Sequence, residues 1–104
     1  MRARAGAREI LSAEELGLSP KRGGGRWVRE GGGEMTAKVP VNPSGGLLSK
    51  GHPLGATGVA NICEVVWHLT QDDRAKDRLV PNAKAGQAHV IGLGSACTIH
   101  ILTV

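Results

Sequence analysis

The sequence predicts an α/β fold in which this chain forms the last part of a larger sheet. Apolar residues recur with helical spacing from about Ala56 to Leu69, and two strand-like runs follow at Gln87–Leu93 and Ser95–Val104. The predicted order is helix, long loop, helix and two strands. The tight link between the two strand-like runs indicates antiparallel neighbours or a sharp turn. Two strands alone do not make a stable sheet, so the pattern is more typical of a segment than of a free-standing domain.

The first part of the chain predicts one short helix and then a long loop. Residues 7–16 are rich in helix formers, and Gly17 is a suitable stop. Two glycine triplets, Gly23–Gly25 and Gly31–Gly33, indicate a loop. Between them, residues 26–29 predict a short extended piece.

The later part predicts most of the core. One face of the second helix carries an i, i+3, i+4, i+7 set that we expect to be buried, made of Val59, Ile62, Cys63 and Val66 and extended by Trp67. The second strand is apolar on both faces. Such strands are usually central in a sheet that is covered on both sides.

Composition predicts a thin core. The 104 residues include sixteen Gly, two Trp and no Phe or Tyr, although aromatic side chains normally supply much of the buried area. The length suits one small domain or part of a larger one. We therefore expect the chain to borrow surface from a partner or from further sequence.

The formal net charge is +4, and most of the excess lies in the first thirty residues, at Arg2, Arg4, Arg8, Lys21, Arg22, Arg26 and Arg29. Nucleic acid is an unlikely partner, because only Trp27 is interleaved with these charges and no binding motif is visible. The same charge could attract an anionic small molecule that carries phosphates. Two cysteines form no disulfide framework, which favours a reducing, cytoplasmic setting, and no stretch reaches the length of a membrane span.

The stretch from Asn42 to Asn61, NPSGGLLSKGHPLGATGVAN, holds the candidate functional residue. His52 stands between glycine and proline just before a helical pattern begins. At that place the helix dipole favours a neutral ring. A neutral imidazole can take a proton from a thiol or hydroxyl, or donate a hydrogen bond to a developing oxyanion. This chemistry suits acyl transfer, and the alternative is a glycine-rich turn with a solvent-facing histidine.

These residues resemble the thiolase family. NPSGGLLSKGHPLGATG is similar to the signature around the active-site histidine, N-x-x-G-G-x-x-x-x-G-H-P-x-G-x-[ST]-G. The flanks, EELGLSPKRGGGRWVREGG and AHVIGLGSACTIHIL, resemble the sterol-carrier-protein type of thiolase. The resemblance covers residues 9–104, and we expect residues 1–8 to be an unrelated or disordered lead-in.

The resemblance implies a fold of two similar βαβαβαββ halves in a five-layered α/β sandwich, usually dimeric, of which this chain supplies the end of the second half. It implies acyl-CoA or CoA as substrate and no separate cofactor. His52 matches the histidine that helps to activate the nucleophilic cysteine and lines an oxyanion hole for the thioester oxygen, and Gly92 matches a glycine whose N–H contributes to a second oxyanion hole. Seven further residues match positions that shape the loop: Asn42, Gly45, Gly46, Gly51, Pro53, Gly55 and Gly58.

Three departures from the family pattern bear on catalysis. The nucleophilic cysteine of thiolases lies in the first half, which this sequence does not include. The cysteine of the C-terminal C-x-G motif falls on Val90, after His89, which we hold as a possible polar group of the active site. A further H-D-C-F motif of the sterol-carrier type corresponds here to Arg2–Ala5.

The remaining cysteines and histidines favour structural roles. We expect Cys63 and Cys97 to be core residues, and His68 and His100 to be surface or structural. A zinc site from His52, Cys63, His68 and His89 lacks ligand spacing.

Two hypotheses remain open. The chain is either the C-terminal part of a thiolase that needs its missing half from a longer chain, a companion chain or a homo-oligomer, or a non-catalytic CoA-binding or assembly module.

Overall fold

The computed structural model describes residues 7–92 and 95–104, so most of the expected lead-in, residues 1–6, lies outside the described residues. The chain divides into two compact units, Met1–Lys50 and Gly51–Val104. In residues 7–50 the first unit contains the short helices α1 (Ala7–Glu15), α2 (Gly24–Arg29) and α3 (Leu47–Lys50). The second contains helix α4 (Leu54–Thr70), a 3₁₀ helix (Asp73–Arg78) and strands β1 (Ala85–Gly92) and β2 (Ala96–Thr103).

In the first unit, α1 and α2 pack together through Gly24. A Cβ atom at this position would lie 2.6 Å from the carbonyl oxygen of Ile10, so the close approach requires glycine. The Glu14 carboxylate accepts the backbone N–H groups of Arg22 and Gly24, each at 2.9 Å. These hydrogen bonds lower the pKa of Glu14.

The extended piece predicted for residues 26–29 is wrong, because these residues form most of α2. Glu14 satisfies a first-turn N–H of α2 from outside the helix, which offsets the poor helix propensity of its glycines. Propensity within the segment could not indicate this long-range partner. The helix predicted for residues 7–16 is confirmed and ends at Glu15.

In the second unit, the long helix is confirmed with slightly wider bounds than predicted. It begins at Leu54, directly after Pro53 in the N-cap position, and ends before Gln71, which takes a left-handed conformation with φ of 55°. Proline fixes φ near −65°, which suits a helix start. The helix therefore begins two residues after His52.

The two strands are antiparallel, as expected, with Ala85 opposite Thr103 and Gly92 opposite Ala96. One face of β1 packs on α4. A Cβ atom on Gly86 would lie 2.5 Å from Cγ1 of Val65, and one on Gly58 would lie 3.9 Å from Cγ2 of Val90. Since later strand residues meet earlier helix residues, β1 runs in the opposite direction to α4.

The prediction that the apolar stripe on α4 is buried in the core is wrong. Val59 is 64% exposed and Val66 is also exposed, while Ile62, Cys63 and Trp67 are only half-buried. The helix instead turns Gly58 and Val65 towards the sheet. Apolar residues surround most of the circumference of α4, so periodicity alone could not choose between its faces.

The expectation that β2 is a central strand covered on both sides is wrong for this chain. Its residues are almost all exposed, including Ile101 at 72%. The expected core position of Cys97 is wrong for the same reason, because this side chain is exposed. A strand that is apolar on both faces needs two covering layers, and among the described residues of this unit α4 supplies one of them.

A partly buried polar cluster joins α4 to the 3₁₀ helix. Arg78 donates from Nε to Oε1 of Glu64 at 2.5 Å and from Nη2 to Oε2 at 2.8 Å. This pair lowers the pKa of Glu64. Next to it, the buried His68 accepts the backbone N–H of Val80 through Nδ1 at 3.1 Å. His68 thus has a structural role.

We expect the Arg78→Met variant to lose about 1–3 kcal/mol of unfolding free energy at pH 7, because it leaves a partly buried carboxylate without its partner. The pKa of Glu64 is lower in the folded chain than in the unfolded chain. The pair therefore stabilises at pH values above the ordinary glutamate pKa of about 4.3, and its contribution is lost as the pH falls through the lowered folded value. Urea unfolding from pH 7 to pH 3 should show the difference between variant and wild type shrink.

The matched control is Arg26→Met, which breaks a solvent-exposed i, i+4 pair with Glu30. We expect no measurable change in this variant, because exposed ion pairs contribute little. A loss at Arg78 that stays constant down to pH 3 would contradict the role of the ionised pair.

We expect the Gly86→Ala variant to lose about 1–3 kcal/mol, because the new methyl group overlaps Val65. Adding Val65→Ala removes the overlapping methyl groups. Thermal unfolding should therefore show the double variant to be more stable than the sum of the two single effects. Additive effects would mean that this contact does not set the spacing between α4 and the sheet.

Candidate functional site

The His52 side chain is exposed but held at one ring nitrogen. Its Nδ1 lies 2.9 Å from Oγ1 of Thr57, and this hydroxyl lies 3.0 Å from the carbonyl oxygen of Pro53. Thr57 is 3% exposed, in the first turn of α4. The ring is therefore held through a buried partner, while the residue as a whole is exposed.

Backbone geometry explains why glycine precedes the histidine. Gly51 has φ of +80°, in the left-handed region that glycine adopts without a Cβ penalty. A Cβ atom there would have nothing within 4 Å. The requirement at this position therefore comes from the backbone turn into His52 and Pro53, and not from crowding.

The other loop residues fall in both compact units. In the first unit, Asn42 accepts the N–H of Gly45 through its carbonyl oxygen at 2.8 Å, which closes a turn. A Cβ atom on Gly45 would lie 2.7 Å from Cβ of Ser49, and Gly46 follows with φ of +63°. In the second unit, the predicted loop residues Gly55 and Gly58 lie inside α4, where Gly58 faces β1.

Gly92 ends β1 at the level where α4 begins. Val90 lies against Gly58, and two further strand residues advance about 6.6 Å. The same distance along α4 leads from Gly58 back to about Leu54. Since β1 and α4 run in opposite directions, the end of the strand and His52 lie at the same end of this unit.

Val90 and His89 occupy opposite faces of the sheet. Val90 shares the α4 side with Gly86, so the alternation of side chains along a strand places His89 on the other side, opposite Ile99. The structure does not bring His89 onto the face that carries Val90. Its role as a polar group of the active site stays a prediction.

Neither cysteine lies next to His52. Cys63 is half-buried in the middle of α4, about 13 Å along the helix axis from Leu54. Cys97 lies opposite Ile91 on the sheet face turned away from α4. In the described ranges 7–92 and 95–104, no three His, Cys, Asp or Glu side chains gather as metal ligands. Within the same ranges, no helix is long and apolar enough to cross a membrane.

Thr57 is the residue that sequence reasoning missed. It occupies the [ST] position of the motif that surrounds His52, so a signal was present. The roles that the resemblance implies fall on the glycines, the proline and the histidine of the motif, and none falls on its hydroxyl. The contact five residues apart becomes visible only when the turn folds His52 back over the start of α4.

Comparison with known proteins defines the class. Residues 5–104 match the family described as "Thiolase C-terminal domain-like". The chain therefore belongs to this family, and its helices and antiparallel strands form part of a thiolase-like α/β fold.

Individual relatives have two kinds of name. The chain is 47% identical over 93 residues to sterol carrier protein 2 of Bos taurus. The aligned segment covers 89% of this chain and 17% of that protein. It is 45% identical over 95 residues to an acetyl-CoA acetyltransferase of Methanothermobacter thermautotrophicus. This alignment covers 90% of this chain and 24% of that protein. The chain thus spans about a sixth to a quarter of the length of these relatives.

We expect the Gly51→Ala variant to lose about 1–2 kcal/mol of unfolding free energy, because alanine is strained at positive φ. Gly51→Asn should lose less, since asparagine tolerates the left-handed region better. Chemical denaturation of the two variants checks this order. Equal losses would mean that the turn does not keep its left-handed conformation.

Proposed function

We propose that this chain is the C-terminal part of an acyltransferase of the thiolase family, which acts on acyl-CoA thioesters by thiolysis or Claisen condensation. His52 takes the proton of a nucleophilic thiol. The backbone N–H of Gly92 contributes to an oxyanion hole. The observation that carries this proposal is the exposed imidazole, held through Nδ1 by the buried Thr57 at the start of α4.

The geometry suits proton transfer from a thiol. The Nδ1 atom of His52 is engaged by Thr57, so the outward-facing Nε2 is the nitrogen that can reach a substrate or a nucleophile. When the thiol gives its proton to the imidazole, the thiolate adds to the carbonyl carbon and the carbonyl oxygen becomes negative. Hydrogen-bond donors at the same end of the unit would stabilise this charge. Gly92 lies at that end.

The thiol comes from outside this chain in our proposal. Cys63 and Cys97 lie away from His52, on the middle of α4 and on the far face of the sheet. The N-terminal half of a thiolase would supply the nucleophile, as part of a longer protein, as a companion chain or within a homo-oligomer. The exposed apolar side chains of α4 and β2, among them Leu54 and Ile101, support a covering partner of this kind.

A second candidate function is a non-catalytic CoA-binding or assembly module in the cytoplasm. The distance of both cysteines from His52 favours it for the chain by itself. The positive net charge of +4 would attract the phosphates of CoA, which is the substrate carrier in the first proposal and the ligand in the second.

The test is a chimera in which residues 9–104 replace the matching segment of the Methanothermobacter thermautotrophicus acetyltransferase. We expect this protein to cleave acetoacetyl-CoA in the presence of CoA. His52→Ala should lower kcat by about 10²–10⁴-fold, because it removes the proton acceptor of the nucleophile. The decrease in enolate absorbance of the substrate measures the rate.

The control is Lys76→Ala, which changes an exposed residue of the 3₁₀ helix, outside α4 and β2, and should leave the rate unchanged. A His52→Ala chimera that keeps most of its rate would overturn the catalytic role. A folded chimera without activity, together with CoA binding by the separate chain in calorimetry, would favour the module. The absence of both activity and CoA binding would contradict both candidates.

A further inference from the structure

We infer that Thr57 is a positioning residue that holds His52 as the Nδ1–H tautomer and leaves Nε2 as its basic nitrogen. The catalytic consequence rests on the proposed function. The tautomer itself does not, because it follows from two contacts of one hydroxyl, 2.9 Å to Nδ1 of His52 and 3.0 Å to the carbonyl oxygen of Pro53.

The Thr57 hydroxyl has one proton to donate, and the carbonyl oxygen of Pro53 can only accept. If the hydroxyl donates to Pro53, its oxygen faces Nδ1 as an acceptor. The hydrogen of the 2.9 Å contact must then reside on Nδ1. A neutral imidazole carries one N–H, so Nε2 holds the lone pair.

The reverse arrangement explains only one of the two contacts. If the hydroxyl donated to Nδ1, its oxygen would stand 3.0 Å from the carbonyl oxygen of Pro53 with no proton between two acceptors. That carbonyl already accepts the backbone N–H groups of Ala56 at 3.1 Å and Thr57 at 2.9 Å. Even so, a threonine hydroxyl bonded to the carbonyl four residues earlier is a recurrent arrangement in helices. If the Thr57 hydroxyl donates to Pro53 in this way, both short contacts are hydrogen bonds.

Burial makes the hydroxyl a fixed partner. Thr57 is 3% exposed, so water does not compete for its oxygen, and its branched β-carbon restricts rotation about χ1. The imidazole is exposed by contrast. The ring orientation is thus set from the protein side, while Nε2 stays open to a reacting group.

One hydrogen-bond pattern serves both protonation states. When Nε2 takes a proton from a thiol, Nδ1 keeps its hydrogen and still donates to Thr57. The hydroxyl does not have to rotate during the transfer, and its bond to the imidazolium becomes charge-assisted. An Nε2–H tautomer would present a donor to the thiol in place of a base. The tautomer that Thr57 selects is therefore the one that thiol activation needs.

The direct test is nitrogen NMR of the chain labelled with ¹⁵N-histidine, at about pH 9, where an ordinary imidazole with a pKa of about 6.5 is neutral. We expect the two-bond correlations of His52 to show a protonated-type shift at Nδ1 and an unprotonated-type shift at Nε2. Thr57→Ser keeps the hydroxyl and should keep this pattern. Thr57→Val removes it and should shift the ring towards the Nε2–H tautomer.

The wild-type spectrum decides the tautomer even if Thr57→Val perturbs the helix. An unprotonated-type shift at Nδ1 in the wild type would overturn the inference. His100, exposed on β2, is the internal reference and should give the same spectrum in all three proteins. A change at His100 in Thr57→Val alone would mark a disturbed fold, and the comparison would then be made between the wild type and Thr57→Ser.

Turnover of the chimera tests the catalytic consequence separately. We expect Thr57→Val to lower kcat by about tenfold with little change in KM, and Thr57→Ser to restore most of the rate. An inactive chimera whose His52 has the expected tautomer would contradict the proposed function and leave the tautomer assignment intact. An active chimera in which Thr57→Val keeps full kcat would overturn the positioning role.

Discussion

The second unit depends on the close approach of β1 to α4, which Gly86 makes possible. Gly58 on the helix and Gly86 on the strand face larger partners, Val90 and Val65, at contacts where an added Cβ atom would lie 3.9 Å and 2.5 Å from the neighbouring methyl group. Gly86 therefore leaves room for Val65, whereas a Cβ atom on Gly58 would be in ordinary contact with Val90. The arrangement fixes both the spacing and the opposite directions of helix and strand, and Ala88 between them is almost fully buried.

The candidate site follows from this packing. Because the strand runs against the helix, its last residue, Gly92, arrives where α4 begins, and the turn before α4 presents His52. Two different local features constrain the position of His52. A left-handed glycine turns the chain into the helix, and a buried threonine in the first turn binds one ring nitrogen. The backbone and the side chain of His52 are therefore constrained independently.

The sequence predicted the elements better than their surroundings. Helical spacing identified α4, and the two apolar runs identified β1 and β2, because these patterns are local. The face of α4 that is buried could not be chosen, since it depends on which neighbour carries glycine. Helix α2 was missed because Glu14, ten residues before Gly24, supplies its N-terminal hydrogen bond. Within the site, the motif located His52, but only the fold shows that Thr57 holds it.

The exposed apolar faces of this chain and the lack of a thiol next to His52 both require a neighbouring layer of protein. The apolar faces of α4 and β2 remain exposed, as Leu54 and Ile101 show, although burial of such surface is the main source of folding free energy. In the proposed mechanism His52 acts as a base, which needs a thiol or hydroxyl to activate, and the two cysteines of the chain lie away from it. A single neighbouring layer that covered these faces and carried a thiol to Nε2 would satisfy both. Stability and catalysis would then depend on the same contact, so neither would be complete in its absence.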